Sequence, residues 1–322
     1  MGRYIAKRLG QALIVLLLAY TLAFFLLSAL PSDGVAARYA DPALGLSNAE
    51  IAEIREQMGV DKPLLEQYFA TLGGLFTGNL GYSVATGTPV SSLIATATPH
   101  TFVLAVSSVG LAIVVALAVA WVATLPGGGV IRRGFRALPS LMVSLPGFFI
   151  AIVLLQVFSF QLGWVNVVNP TAFEGLILPT LTLVVPMAAP LIQVLIRSID
   201  EVQAKPFVQV LRARGASESR IFWRDVLRNA LLPAITMAGL LFGELVGGAV
   251  VTETVFGRAG LGQLTVNAVS SRDMPVLLGV VLIAAAAYVI INLIVDLLYP
   301  VLDVRLRDTA STPTEKAKEG AK

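Results

Sequence analysis

The 322-residue chain contains no cysteine and a single histidine, His100. Without cysteine there can be no disulfide framework, no thiolate metal site and no thiol nucleophile. A Ser-His-Asp site or a histidine metal cluster would have to be built on one imidazole, and its surroundings, TATPHTFVL, lack ligand spacing. His100 reads instead as an interfacial residue at the start of a span. Charge is also scarce: 13% of residues are charged and 56% hydrophobic, and the mean hydropathy is +0.81. That balance excludes an ordinary soluble globular domain. The net charge of +3 does not call for nucleic acid, because basic residues also mark the cytoplasmic side of membrane proteins. Nucleotide loops are missing as well. Gly260 and Gly262 in GRAGLGQL make neither a GxGxxG nor a GxxxxGK pattern.

What is present is a set of long apolar runs. A helix needs about 20 apolar residues to cross the hydrocarbon core, and six runs qualify, near 11–30, 101–124, 137–162, 176–196, 232–255 and 276–301. The expected fold class is therefore an all-α integral membrane protein with six transmembrane helices. The first run follows Arg3, Lys7 and Arg8 like a signal peptide, but it is too long for an h-region and SALPS is a poor cleavage site, so it reads as an uncleaved helix. Orientation follows from the basic residues. With the N-terminus inside, 18 Lys and Arg lie in inner segments and 5 (Arg38, Arg55, Lys62, Arg258, Arg272) in outer ones, which places both termini in the cytoplasm of a multi-pass protein of the cell (inner) membrane.

The chain then divides into four parts. An N-terminal cytoplasmic segment and first span (1–30) lead into an extracytoplasmic cap loop (31–100). The transmembrane core (101–301) carries a cytoplasmic loop (199–232), and a cytoplasmic tail (302–322) becomes polar and aperiodic from Asp308, reading as disordered. In the acidic cap loop, Ser47 with Glu50 three residues on is a capping box for a helix through Met58 that ends at Gly59. A second short helix runs from Pro63 to about Phe76, before the turn GNLGYS, so the loop reads as a folded cap.

The cytoplasmic loop is an island of charge. Arg197, Lys205, Arg212, Arg214, Arg220, Arg224 and Arg228 stand there with Asp200, Glu201, Glu218 and Asp225 between two long hydrophobic runs. Its grammar is helix, break, helix. Pro206 suits a first helical position, Gly215 the left-handed residue that ends a helix, and Ser217 a cap with Glu218 in the positive first turn. In the second helix Phe222, Trp223, Val226, Leu227, Ala230 and Leu231 fall on one stripe, and Arg220, Arg224 and Arg228 form a row on another. This is an amphipathic elbow suited to a membrane surface.

Ionisable residues inside spans are expensive and point to function first. Glu244 lies beside Gly243, Gly247 and Gly248, small residues that let helices approach or leave a lumen open, so it is read either as a pathway acid or as a buried, hydrogen-bonded one. Glu253 reads as interfacial or structural and Asp296 as one half of an ion pair. Pro146, Pro179, Pro186 and Pro190 interrupt the third and fourth spans, as suits a gating path or a static kink. A proton-coupled transporter using Glu244 and Asp296 would be expected to show an inverted repeat, and none is detectable. An intramembrane protease needs a Ser/His pair or two apposed aspartates, where the spans offer Asp296.

The order of pieces resembles the dipeptide/oligopeptide/nickel class of ABC importer permeases, the DppB/OppB-like subunits. The resemblance runs through GVDKPLLEQYFATLGGLFTGNLGYSVATGTPV in the cap, SLPGFFIAIVLL, LPTLTLVVP, RARGASESRIFWRDVLRNALLPAIT, GGAVVTETVFGRAGLGQL, SRDMPV and NLIVDLLYPVLDVRLRD, covering about residues 1–308. It implies the type I ABC importer permease fold with a structured extracytoplasmic loop after the first helix, no catalytic chemistry and no cofactor or metal in this chain. It also implies four kinds of partner: a homologous second permease, two cytoplasmic ATPase subunits, an extracytoplasmic solute-binding protein and membrane lipid. The charged loop corresponds to the family's ATPase-docking loop over 206–232, with Gln209, Arg212, Arg214, Gly215, Ala216, Ser217 and Glu218 as coupling residues. The Glu-Ala-Ala that names that loop elsewhere is absent, since Gln209, Val210 and Leu211 stand there, and Leu227 and Arg228 replace a Leu-Pro. The pathway for di- or oligopeptides is expected near Glu244, Gly243, Gly247 and Gly248.

Overall fold

A computed structural model describes residues 2–29, 34–39, 45–57, 59, 61–125, 127 and 129–302. The expectation of a disordered tail lies outside the described residues. The helices are α1 (Gly2–Ser28), α2 (Gly34–Tyr39), α3 (Asn48–Gln57), α4 (Leu64–Phe76), α5 (Val90–Thr124), α6 (Gly129–Ser144), α7 (Gly147–Leu154), α8 (Glu174–Gln203), α9 (Pro206–Ala213), α10 (Glu218–Arg220), α11 (Leu227–Gly248), α12 (Val250–Val255), α13 (Leu261–Ser270) and α14 (Met274–Leu302). Two π-helical segments, Leu155–Gln161 and Ile221–Val226, extend α7 and join α10 to α11. Among the described residues β-structure is limited to an isolated bridge, Tyr82 to Pro89.

Among the described residues, five helical stretches are long and apolar enough to cross a bilayer, and α6 with α7 and its π extension, bent by 96°, supplies a sixth if the bent pair is one span. That bend changes the expected third span. The run 137–162 is not one rod but the end of α6 and the whole of α7, meeting at Leu145 and Pro146. Proline lacks an N–H and pushes the residue before it out of the helical region. Pro146 itself is extended (φ −61°, ψ 135°) and starts α7 by accepting the amides of Phe149 and Ile150.

The core is organised on α5 and α8, with α11 against both and α14 against α11. On α5, Ala112, Ala116 and Ala120 repeat at every fourth position and are fully buried, so a stripe of small residues runs along the buried face of the helix. Small residues in register let two helix backbones come close, which gives packing where lipid offers no hydrophobic drive. The same α5–α8 contact carries a hydroxyl pair, Ser107 Oγ to Thr180 Oγ1 at 3.0 Å. On the rim, α1 packs against α14, and its Leu13, Leu22 and Leu26 remain exposed, as a lipid-facing helix leaves them.

In the cap, the Ser47 hydroxyl and amide donate to Glu50 Oε2 at 2.8 and 2.7 Å, and α3 starts there. Gly59 takes φ +67° where the chain turns toward α4. Both short helices thus stand where local signals put them, although Met58 lies outside the described residues.

Candidate functional site

The elbow is built by backbone chemistry. Pro206 occupies the first turn of α9, and the helix closes in a Schellman motif: the Ala216 amide donates to Leu211 O at 3.1 Å and the Gly215 amide to Arg212 O at 2.9 Å. That closure needs a left-handed residue, and Gly215 has φ +78°. Leu211 and Ala216, the apolar pair that accompanies the motif, both pack on the core. Ser217 then caps α10 by accepting the Arg220 amide at 3.4 Å.

Across the break, Arg212 Nε donates to Glu218 Oε1 at 2.7 Å and Nη2 to Oε2 at 3.1 Å. The ion pair bridges α9 and α10, and the hydrogen bond to the Glu218 carboxylate raises the Arg212 pKa. Val208, Ile221, Phe222 and Val226 are buried in the main core, so the elbow is keyed into the bundle. The opposite face is open: Phe207, Gln209, Val210, Arg214, Arg220, Arg224 and Arg228 are exposed. The four arginines of that face make no ion pair within the described residues.

One stripe residue departs from its expected position. Trp223 is 47% exposed, while Phe222, Val226, Leu227 and Ala230 are buried. It sits in the π segment, whose wider turn rotates it off the stripe toward Trp121 of α5, ring centroids 6.0 Å apart. Because α11 follows that segment without a break, the elbow is the direct continuation of the fifth span.

The span residues separate. Glu244 is exposed on α11 and has no hydrogen-bond or ion-pair partner among the described residues. Gly243 serves helix approach, since a Cβ there would stand 2.5 Å from the Tyr288 ring of α14. Gly247 and Gly248 close α11. Asp296 lies in α14, but its side chain and Arg305 fall outside the described residues.

At the end of the bundle away from the elbow, Glu253 is fully buried. Its Oε1 accepts from Thr101 Oγ1 at 2.6 Å and its Oε2 from the Gly262 and Gln263 amides at 2.7 and 3.3 Å. The carboxylate therefore caps α13, where the helix dipole favours an anion. Gly260 and Gly262 are needed because a Cβ at either would lie within 3 Å of that carboxylate. Nearby, Arg258 donates to Gly175 O and His100 O at 2.6 and 3.3 Å; burial pushes its guanidinium pKa down against the opposing pull of Glu253. Asp273 is a residue the sequence reading did not single out. It is 2% exposed, accepts from Ser83 Oγ and the Ala85 amide, and caps α14, so the cap loop is tied to the sixth span. Its signal was an Asp just before Met-Pro at the start of an apolar run.

Residues 108–308 match the family model described as binding-protein-dependent transport system inner membrane component, and residues 1–105 match its N-terminal companion. The chain is 36% identical over 310 residues to the glutathione transport system permease protein GsiC of Pectobacterium atrosepticum, covering 95% of this chain and 99% of that one. It is 34% identical over 315 residues to "Probable peptide ABC transporter permease protein y4tP" of Sinorhizobium fredii, covering 95% and 100%. Among solved structures, a chain of the MetNI methionine ABC transporter in inward facing conformations superposes with a TM-score of 0.55 at 18% identity, covering 66% of this chain and 96% of that one. That similarity is one of fold.

Proposed function

Because the chain belongs to the family of binding-protein-dependent transport system inner membrane components, we propose that it lines, with a homologous second permease, the path by which di- or oligopeptides enter the cell. It is an ABC importer permease subunit and not an enzyme. Two ATPase chains supply hydrolysis from the cytoplasm, and a solute-binding protein delivers the peptide outside. Both termini lie in the cytoplasm, a reading supported by the excess of basic residues in the segments it places inside. The names of the relatives, glutathione and peptide permeases, support a peptide cargo.

The observation that carries the coupling role is the elbow, anchored by Val208, Ile221, Phe222 and Val226 and open on its other side. ATP-driven closure of the ATPases would push on Gln209, Arg212, Arg214, Gly215, Ala216, Ser217 and Glu218. The push passes through the π segment into α11 and through α9 into α8, moving packed helices as rigid bodies. The pathway is assigned to the exposed side of α11 around Glu244, because an unpartnered acid in a span needs either water or a polar ligand. Gly247 and Gly248 keep the outer end of that helix slim, and a peptide's amino group is the natural counter-charge. The loaded binding protein docks, ATP binding opens the cavity outward, and hydrolysis returns it inward.

The test is reconstitution of the full complex with its binding protein. Gly215→Pro, or charge reversal at Arg212 and Arg214 together, should abolish peptide uptake while the chain still inserts and assembles. Normal coupled uptake in both variants would refute the docking role. Transport by this chain alone, driven by a pH gradient, would overturn the ATP-driven reading, and the ligand co-purifying with the cognate binding protein identifies the cargo.

A further inference from the structure

We propose that α4, in the loop expected to be a folded extracytoplasmic cap, lies in the outer leaflet of the membrane with its exposed Leu65, Phe69 and Phe76 side covered by acyl chains. The argument begins with depth. Tyr68 of α4 packs its ring against Tyr20, Phe24 and Phe25 of α1, and its hydroxyl pairs with Thr21 Oγ1 at 2.8 Å. The apolar crossing stretch of α1 ends at Ser28. At 1.5 Å per residue, contact between Tyr20 and Phe25 places Tyr68 about 5–12 Å below the outer end of that helix. A second measure agrees: Leu278, four residues inside the start of α14 and so about 6 Å down, packs on the same Tyr20, Phe24 and Tyr68 cluster as Leu72 and Leu75 of α4. In-plane amphipathic helices sit about 5–10 Å into the boundary between headgroups and acyl chains.

The surface chemistry points the same way. Tyr68, Leu72 and Leu75 face the crevice between α1 and α14, and the side of the helix next to them presents Leu65, Phe69 (64% exposed) and Phe76 (88% exposed), which leaves Glu66, Ala70 and Gly73 to turn toward water. This apolar stripe is continuous with the lipid-facing Leu22 and Leu26 of α1, because Phe69 contacts Tyr68 edge-on and Tyr68 stacks on Phe25. Polar groups on α4 are satisfied locally, as hydrocarbon demands. Thr71 Oγ1 donates to Gln67 O at 2.8 Å, Gln67 Nε2 to Lys62 O at 2.8 Å, and the Lys62–Glu66 pair sits at the N-terminal end, where it can reach headgroups. A water-facing or binding-protein-facing helix would not need to sink beside the outer third of a span.

The chain has no cysteine, so single-cysteine labelling is clean. Leu65→Cys, Phe69→Cys and Phe76→Cys, each labelled with an environment-sensitive fluorophore, would be placed in the assembled complex in phosphatidylcholine vesicles. Ala52→Cys on α3 is the water-facing control and Leu26→Cys on α1 the lipid-facing one. The α4 probes should be quenched by a nitroxide on the upper acyl chain as strongly as the Leu26 probe, with iodide quenching at least about threefold below the Ala52 probe. Iodide quenching equal to that of Ala52 would overturn the proposal, because the face would then be in water. Protection from both quenchers would overturn it too, by showing a protein cover such as the second permease. Three independent positions keep the test open if one variant fails to assemble.

Discussion

The two ends of the bundle hold their charges in opposite ways. At the end away from the elbow, Glu253 and Asp273 are buried (0% and 2% exposed) and are held by hydroxyls and backbone amides. At the elbow end, Arg212 pairs with Glu218 and Arg136 with Asp200, both at 2.7 Å with roughly a third of each side chain in solvent. A buried carboxylate with several neutral donors has one low-energy arrangement, and any loss leaves unpaired donors behind. A half-exposed ion pair is worth little and can be exchanged for another partner. The end away from the elbow is therefore built to keep its geometry and the elbow end to pass a contact on, which suits the proposed drive through the elbow.

The largest effect should come from Glu253→Ala. It strands the Thr101 hydroxyl and the Gly262 and Gln263 amides, at a cost of about 3 kcal/mol. Thermal unfolding of the purified chain should show a clear drop in Tm, with Glu253→Gln falling less because its volume is kept. If Glu253→Ala unfolded no earlier than Arg212→Ala, the contrast between the two ends would collapse.

Next comes a pair of glycines. Gly262→Ala drives a Cβ to 2.5 Å from the backbone of Val250, and such overpacking costs about 2 kcal/mol. Gly215→Ala meets open space, so only its left-handed φ of +78° opposes the change, at about 1 kcal/mol. Unfolding should rank them in that order, while uptake should suffer in Gly215→Ala beyond its modest loss of stability. Equal destabilisation would mean that the elbow is as tightly packed as the end that holds Glu253.

A smaller effect is expected from the Arg212–Glu218 pair. A double-mutant cycle with Arg212→Ala and Glu218→Ala should give a coupling of about 0.5 kcal/mol in unfolding, discounted for its exposure. The same variants should loosen the link between ATPase rate and uptake. A coupling several times larger would make the pair a structural lock like Glu253.

Features set by neighbours in sequence could be read in advance, and features set by distant ones could not. Pro206, Gly215 and Ser217 stand where helix chemistry puts them, as do Ser47 and Glu50, because capping acts over three or four residues. Pro146 was visible, but the 96° angle at it depends on what α6 and α7 pack against. The π segment that turns Trp223 out leaves no periodic mark, since one extra residue per turn is decided by packing. Glu253 could be suspected of a structural role, yet Thr101, which holds it, lies 152 residues away. Glu244 remained legible only as an acid in a span, and its exposed position depends on how α11 rotates against α14.

The smallest effect is the most direct check on burial. Glu50 does at α3 what Glu253 does at α13, accepting an amide at a helix start, but in full solvent. The Ser47 amide, with its hydroxyl second, holds the Glu50 pKa below the usual carboxylate value, and Arg55 does the same for Asp61. A carboxylate depressed on folding stabilises the fold above its unfolded pKa and loses that contribution as pH falls through the folded one. Amide exchange across 48–57, corrected for its intrinsic pH dependence, should therefore stay level from about pH 8 to about pH 5 and rise only in stronger acid. Glu50→Gln should remove most of that acid step, with little change in global Tm. A fall in Tm as large as that of Glu253→Ala would show that burial is not what separates two carboxylates with the same hydrogen-bonding task.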